Sequence, residues 1–377
     1  MKIKEQLVMN TISQKVYRGE RLTTEDGLRL LETNDILFLG QLADSVRRKK
    51  HGDSVYYSMN LNINPTNVCV LTCEFCAFAR RPGEEGGWTY SVEEIVNKVR
   101  QAAPCGLNEV HIVGGLHPKL KLDYFEELIR QIKEINPSIH VKAFTAVEID
   151  YFAKINHLSV EDVLVRFKSA GLDTMPGGGA EVFSERVRQL LCPTKISGQE
   201  WLEIMGIAHR LGIRTNATML YGHIETGRAI IEHLSALREQ QDQTEGFNAF
   251  VPLAFHPDHT NMAHLPPTTG YEDVRILAVS RLMVDNFDHI KGLWTYLGDK
   301  MAQVLLHFGV DDLGGTLLEE RIVHMAGANV PDGLGEKALV ELIRSIGRNP
   351  IRTDSSYETK EHKEHQDTNY QSRLLTA

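Results

Sequence analysis

Residues 56–76, YYSMNLNINPTNVCVLTCEFC, lead a strand into a loop of three cysteines, and the fold follows from what comes after them. SVEEIVNKVRQAA (91–103) has helical spacing behind a serine suited to capping it. NEVHIVGG (108–115) reads as a second strand, KLDYFEELIRQIKEI (121–135) as a helix and IHVKAFTAVEI (139–149) as a third strand. SVEDVLVRFKSAG (159–171) is a helix ending on glycine, and LDTMPGGG follows it. Further strands are read at IRTNATMLYG (213–222) and FNAFVPLAF (247–255), with helices after each. HIKGLWTYLG (289–298) and VDDLGGT (310–316) supply strands seven and eight around the helix KMAQVLLHFG. Strands alternating with helices pair in parallel, and about eight such units fit a closed (β/α)8 TIM-type barrel better than an open sheet.

The expected division is an N-terminal helical segment over 1–55, the barrel over 56–330, a C-terminal helix over 331–350 and a disordered tail over 351–377. The tail is polar and mixed in charge, and its histidines carry no assignment. The 377-residue chain is 42% hydrophobic, enough for a large core, and has no apolar run of the roughly 18 residues a membrane helix needs. MKIKEQLVMN lacks the apolar centre of a secretory signal, so the expected location is cytoplasmic. With 41 Lys+Arg against 50 Asp+Glu there is no basic footprint for nucleic acid or an anionic membrane, which leaves small-molecule chemistry.

In such barrels function collects on the loops after the strands. NPTNVCVLTCEFC, GGLHP, VEI, PGGGAE, YGHIET, FHPDH and DDLGG each fall after an expected strand, which points to one shared pocket. Three clustered thiols in a reducing compartment are not a disulfide framework. Thiolates alone suit an iron–sulfur cluster or zinc; three on a 4Fe–4S cubane leave one iron open for a substrate. The other two cysteines, Cys105 and Cys192, stand alone beside prolines and read as ordinary helix-end residues; Trp294 reads as core.

CVLTCEFC (69–76) resembles the cluster motif of the radical S-adenosylmethionine (SAM) superfamily. That resemblance implies Cys69, Cys73 and Cys76 as cluster ligands, Phe75 flanking the bound nucleotide, and Gly114 and Gly115 of GGLHP meeting the SAM amino group through backbone. VKAFTAVEI, MPGGGAE, TNATMLYGHIET, FVPLAFHP, DNFDHIKGLW and DDLGGTLLEE narrow the likeness to the aminofutalosine synthases of menaquinone biosynthesis. The implied reaction adds the 5′-deoxyadenosyl radical to the enolpyruvyl double bond of 3-(1-carboxyvinyloxy)benzoate and loses that group's carboxylate, giving 6-amino-6-deoxyfutalosine and methionine. SAM is then consumed as co-substrate, and a reductant such as flavodoxin or ferredoxin supplies the electron.

Candidate residues come from the strand ends. Glu148 would bind adenosine ribose or the SAM ammonium, or else cap a helix. Gly177, Gly178 and Gly179, with Glu181, precede a helix whose N-terminus suits a carboxylate. His223 and Glu225 lie two apart, on one face of extended backbone, as candidates for proton movement around decarboxylation. His117, His256 and Lys291 complete the substrate-binding set. Three alternatives remain: the related dehypoxanthine futalosine cyclase, a zinc hydrolase or lyase using the cysteines with His117 or His223, and a noncatalytic cluster-bearing electron carrier.

Overall fold

The computed structural model describes residues 2–358. Ten strands run in chain order: β1 Ser54–Ser58, β2 Asn60–Ile63, β3 Glu109–Ile112, β4 His140–Ala143, β5 Thr174–Met175, β6 Arg214–Tyr221, β7 Phe247–Ala254, β8 His289–Ile290, β9 Asp312–Gly315 and β10 Asn349–Arg352. Strands β2 to β8 form one parallel sheet in sequence order, the arrangement that right-handed β–α–β crossovers produce. The sheet curls until its edges meet the chain that runs from β9. Lys291, just past β8, bridges to Asp312, and Leu318 bridges to Leu61 of β2. The TIM-type α/β architecture is present as a curled sheet of seven strands and not eight: the expected eighth strand, β9, pairs in the second sheet, and only single bridges link the chain around it to the edges of the seven.

The expected first strand breaks at Met59. The Asn108 side chain accepts the Met59 N–H at 2.8 Å, and the Met59 carbonyl accepts the N–H groups of Asn108 and Glu109. The upstream half therefore leaves the barrel and pairs with β9 and β10 in a separate three-stranded parallel sheet.

The expected third strand ends six residues early. Thr145 and Glu148 form a capping box that starts the helix Ala146–Asn156, and Phe144 turns the chain with a φ of 62°. The hydrophobic run that resembles a strand in the sequence is thus half strand and half buried helix face. Phe144 packs against Phe167 and Phe152 at ring distances of 4.6 and 5.4 Å, filling the layer between sheet and outer helices.

Three helices, Lys2–Arg18, Thr24–Glu32 and Ile36–His51, precede the barrel. Asp26 closes a capping box with Thr23, accepting its N–H and donating its own to the hydroxyl, and Asp35 accepts the Phe38 N–H at the start of the third. Gly40 lies against the Phe308 ring, so the helix Ile36–His51 sits tightly on the barrel's outer layer. Arg21 reaches Asp242 and Asp285 on two barrel-side segments.

The C-terminal reading needs correction. The helix covers Glu336–Arg344, and residues 349–352 form β10 rather than part of a tail. Thr353, Asp354 and Ser355 are buried beneath the barrel. Ser355 donates its N–H to Glu109, its carbonyl accepts from Asn248, and Tyr357 donates to Asp312 at 2.5 Å. This segment seals the end of the barrel opposite the cysteine loop, giving the lumen a closed floor. The rest of the expected tail, 359–377, lies outside the described residues.

Candidate active site

The loop after β2 is fixed from both sides by backbone bonds. Cys69 donates its N–H to the Arg80 carbonyl at 2.8 Å, Val70 to Leu116 at 3.1 Å and Glu74 to Leu191 at 2.9 Å. Arg81 donates to the carbonyls of Val70 and Leu71, and Thr72 donates its N–H to Thr194 Oγ1. The loop is thereby held by bonds to surrounding segments of the protein itself. All three cysteines remain half-buried, and they line a cavity of about 300 Å³ at the mouth of the barrel.

The donor set distinguishes a cluster from a single zinc ion. Tetrahedral zinc with Zn–S bonds of about 2.3 Å draws its sulfurs to within about 4 Å of one another. Among the described residues, the group whose ligand atoms all lie within 4.8 Å is His51, His289 and Asp311 under the barrel floor, and no histidine or carboxylate joins the cysteines in such a group. The zinc alternative with His117 or His223 is not supported. Burial pushes the Cys73 thiol up to about 12 and raises Cys76 as well, so thiolates here need a nearby positive centre. Ligation of several irons by three thiolates would satisfy that need. The N–H groups of Phe78 and Ala79 face the Cys76 sulfur and offset part of its burial.

Gly114 and Gly115 follow β3 and line the same cavity. A Cβ at Gly115 would stand 2.4 Å from the Val68 carbonyl oxygen, so glycine is required for the two loops to pack, not only for approach to a ligand. The Gly115 N–H donates to Thr66. Glu148 lines the cavity beside them, buried, with Oε1 accepting from Gly114 and Oε2 from Thr145. Burial raises its carboxyl to about 7 against those hydrogen bonds.

Gly177, Gly178 and Gly179 also line the cavity, but they do not open a helix; the next one, Glu185–Leu191, begins six residues later. Their glycine character has a packing cause. A Cβ at Gly177 would meet β6 backbone at 2.7 Å, and at Gly179, where φ is 89°, it would strike Val147. Arg188 clamps the loop by donating to the carbonyls of Ala180 and Gly179, and Trp201 donates to Gly178. Glu181 binds Lys195 at 2.5 Å, and the ammonium stands 4.8 Å over the Phe75 ring. Burial would lower Lys195, but Cys73 and Glu181 outweigh it and hold the ammonium charged.

Four expected site residues fall outside the cavity lining. His223 and Glu225 turn toward their own loop: Glu225 accepts the N–H groups of Gly222 and His223, while His223 Nε2 donates to the Leu220 carbonyl at 3.0 Å. The turn after β6 is not extended, so the i, i+2 spacing does not aim both side chains at a substrate. His117 Nδ1 accepts the N–H groups of Lys119 and Leu120. His256 bonds the Tyr296 carbonyl at 2.9 Å, one step behind Tyr296, which does line the cavity.

Lys291 lines the cavity, buried, with its ammonium 2.9 Å from Asp312. The strand interiors add polar residues not anticipated above: Asn62, His111, Lys142, Asn216 and Thr218 all face the cavity. The signal for them is period two. Each alternates with apolar neighbours in NLNI, EVHI, HVKA and RTNATMLY, and in a barrel the alternate face is the lumen.

Comparison with known proteins agrees with this geometry. Residues 63–237 match the model of the radical SAM superfamily, and residues 244–366 match the CofH/MqnC C-terminal region. The chain is 49% identical to the aminodeoxyfutalosine synthase of Thermus thermophilus, over 92% of this chain and 94% of that protein. It is 40% identical to the aminodeoxyfutalosine synthase of Streptomyces coelicolor, over 92% of each chain. The cyclic dehypoxanthine futalosine synthase of the same organism is 37% identical, over 94% of this chain and 89% of that protein. Among solved structures, methylornithine synthase shares the fold with a TM-score of 0.75 at 18% identity, covering 92% of this chain and 98% of that one. The hydrogenase maturase HydG of Carboxydothermus hydrogenoformans does so with 0.73 at 17%, covering 93% and 81%. The three-cysteine loop, the cavity beside it and the near full-length relatives together place this chain in the radical SAM superfamily, in the branch that contains the aminodeoxyfutalosine synthases.

Proposed function

We propose that this protein is an aminodeoxyfutalosine synthase, which couples the adenosyl group of SAM to 3-(1-carboxyvinyloxy)benzoate. Methionine and the lost carboxyl group, as carbon dioxide or bicarbonate, leave, and 6-amino-6-deoxyfutalosine remains. The observation that carries the reading is the 49% identity to the Thermus thermophilus enzyme over nearly the whole of both chains, against 37% to the cyclic dehypoxanthine futalosine synthase.

In this reading Cys69, Cys73 and Cys76 hold a 4Fe–4S cluster. When bound, that group would supply the electron that cleaves the SAM sulfonium. The chain's own contribution is enclosure and placement. The C-terminal segment closes the floor and the cysteine loop borders the mouth, so a radical generated inside meets the acceptor before water or stray hydrogen donors. Gly114 and Glu148 join two strand ends beside the cysteine loop, where the polar end of SAM would bind. Phe75, whose ring lies under the Lys195 ammonium, would flank the adenine. Lys195 offers a charged donor near the same end. Holding alkene and adenosyl carbon at contact distance supplies more than acid–base chemistry could here. A one-electron donor such as flavodoxin or ferredoxin, and a cytoplasmic location, complete the reading.

The test is anaerobic incubation of cluster-reconstituted protein with a strong reductant, SAM and the acceptor, followed by mass spectrometry. The expected product contains both adenosyl and benzoate groups. Free 5′-deoxyadenosine without coupled product would replace this substrate with another, such as that of the cyclase. Intact SAM in the presence of a reduced cluster would overturn the reading.

A further inference from the structure

Below the SAM end, the lumen holds an arrangement that the reaction as described does not use. Asn62 of β2 is in register with His111 of β3, and His111 with Lys142 of β4, so three inward polar residues form one row across adjacent strands. Lys291 enters the same cavity from the far side of β8. His111 lies three residues before Gly114, which at strand rise puts the row about 10 Å deeper than the glycines.

The row carries unspent hydrogen-bonding capacity. An ammonium has three N–H donors. Lys142 gives one to Glu109 at 2.6 Å and one to Ser355 at 3.0 Å; Lys291 gives one to Asp312. Both lysines are about 95% buried, at 6% and 5% relative exposure, and both line the cavity, so a donor left unmet there is costly. His111 Nε2 and Thr295 Oγ1 are buried, face the cavity and have no partner. Burial and the two neighbouring ammoniums push His111 down to about 3, so it is neutral and able to donate one N–H. Lys142 and Lys291 also repel one another within this enclosed space. Donors left over on two ammoniums, each already paired with one carboxylate, and an unpartnered neutral imidazole facing the same cavity describe a site that an anion can complete through hydrogen bonds.

We propose that Lys142, Lys291 and His111 form a carboxylate subsite at the inner end of the cavity, which receives the ring carboxylate of the aromatic acceptor and points its alkene toward the cysteine loop. The inference rests on the proposed function for the identity of the acceptor. The acceptor has two carboxylates. The enolpyruvyl one adjoins the reacting alkene and is lost, whereas the ring carboxylate lies at the other end of the molecule and survives into the product. A deep, fixed anion site suits the group that does not react. The C-terminal segment takes part as a positioning element: Ser355 holds Lys142, and Tyr357 stacks beneath Lys291 at 5.1 Å while bonding its partner Asp312.

The test is calorimetric binding to cluster-loaded protein with SAM present, using three ligands: the full acceptor, the phenyl analogue lacking the ring carboxylate, and the vinyl-ether analogue lacking the enolpyruvyl carboxylate. Wild type should bind the phenyl analogue about 10- to 100-fold more weakly than the full acceptor, the range for charge-assisted hydrogen bonds. Removing Lys142 alone strands Glu109, so the paired variant Lys142→Met with Glu109→Gln is used, beside the single variant His111→Phe. Both should weaken the full acceptor and leave the phenyl analogue unchanged, erasing the discrimination. Equal binding of full acceptor and phenyl analogue by wild type would overturn the subsite even if coupled product forms. Variants that weaken the phenyl analogue while binding the vinyl-ether analogue as wild type does would overturn the assignment to the ring carboxylate. Wild type that binds none of the three yet cleaves SAM would overturn the functional reading, and the subsite with it.

Discussion

Glu148 accepts the backbone N–H of Gly114 at 3.0 Å through one oxygen, while the other caps the helix that begins after Thr145. One buried carboxyl thus ties the ends of β3 and β4 together at the edge of the cavity.

This tie has a pH signature. Burial lifts the Glu148 carboxyl from an ordinary value of 4.5 to about 7. A raised carboxyl binds its proton more tightly folded than unfolded, so folding stability falls as pH rises from 4.5 to 7, by about 3 kcal/mol across that window. Glu148→Gln removes the titration. Urea unfolding of cluster-free protein at pH 5 and pH 7.5 should show the variant gaining on wild type at the higher pH; a difference independent of pH would show that the carboxyl is not raised.

His223→Ala and Glu225→Gln test two residues that line their own turn instead of the cavity. Each should destabilise the fold by roughly 1–3 kcal/mol of lost loop hydrogen bonding, read as a lower melting temperature, while leaving iron content unchanged. Coupled product per folded, iron-loaded protein should stay within about threefold of wild type, a barrier change under 1 kcal/mol. A hundredfold loss at full iron loading would return these residues to the chemistry.

Much of the architecture is legible because period and punctuation agree: strands alternate with capped helices, and CVLTCEFC marks the end of the first barrel strand. What escapes is where local chemistry competes with hydrophobic pattern. AFTAVEI looks like strand because it is mostly apolar and extends the run that opens at Ile139, yet Thr145 and Glu148 are a helix start. His223 and Glu225 look catalytic because polar pairs after barrel strands often are, but whether a short turn faces inward depends on its dihedral angles. Lys142 and His111 look like ordinary strand residues until the barrel closes and gives their face an interior. Tyr357, in a polar tail, docks only because His289 offers a ring 3.5 Å from its own and Asp312 an acceptor.

Beneath the floor, Asp311 is fully buried and accepts from Arg281, from His289 at 2.6 Å and from the Ile290 N–H at 2.8 Å. Burial alone would raise its carboxyl, but Arg281 and His289 outweigh that and hold it well below the usual range. The stability it contributes is therefore present at neutral pH and is lost as pH falls through the acid range. Asp311→Asn leaves the Arg281 guanidinium buried without its counter-charge and should cost about 3–5 kcal/mol, read as a shift in urea midpoint at pH 7. The penalty should shrink toward pH 3; a variant as stable as wild type at pH 7 would mean that the carbonyls of Gly309 and Asp288 suffice for Arg281.

The last prediction separates packing from ligand contact at the glycine pair. A Cβ at Gly115 would lie 2.4 Å from the Val68 oxygen, one residue before Cys69, whereas at Gly114 the nearest atom, the Thr66 oxygen, would be 3.1 Å away. Backbone cannot yield as a flexible side chain can, so Gly115→Ala must displace the start of the cysteine loop, while Gly114→Ala needs a shift of a few tenths of an ångström. Gly115→Ala should therefore lose most of its reconstituted iron, judged by iron and sulfide assay and by visible absorbance, at a thermal stability that still gives folded protein. Gly114→Ala should keep its iron and instead weaken SAM binding. If Gly115→Ala retains a full cluster, the tight contact with Val68 does not govern the geometry of the three thiolates, and the bonds to Arg80, Arg81, Leu116, Leu191 and Thr194 hold the loop without it.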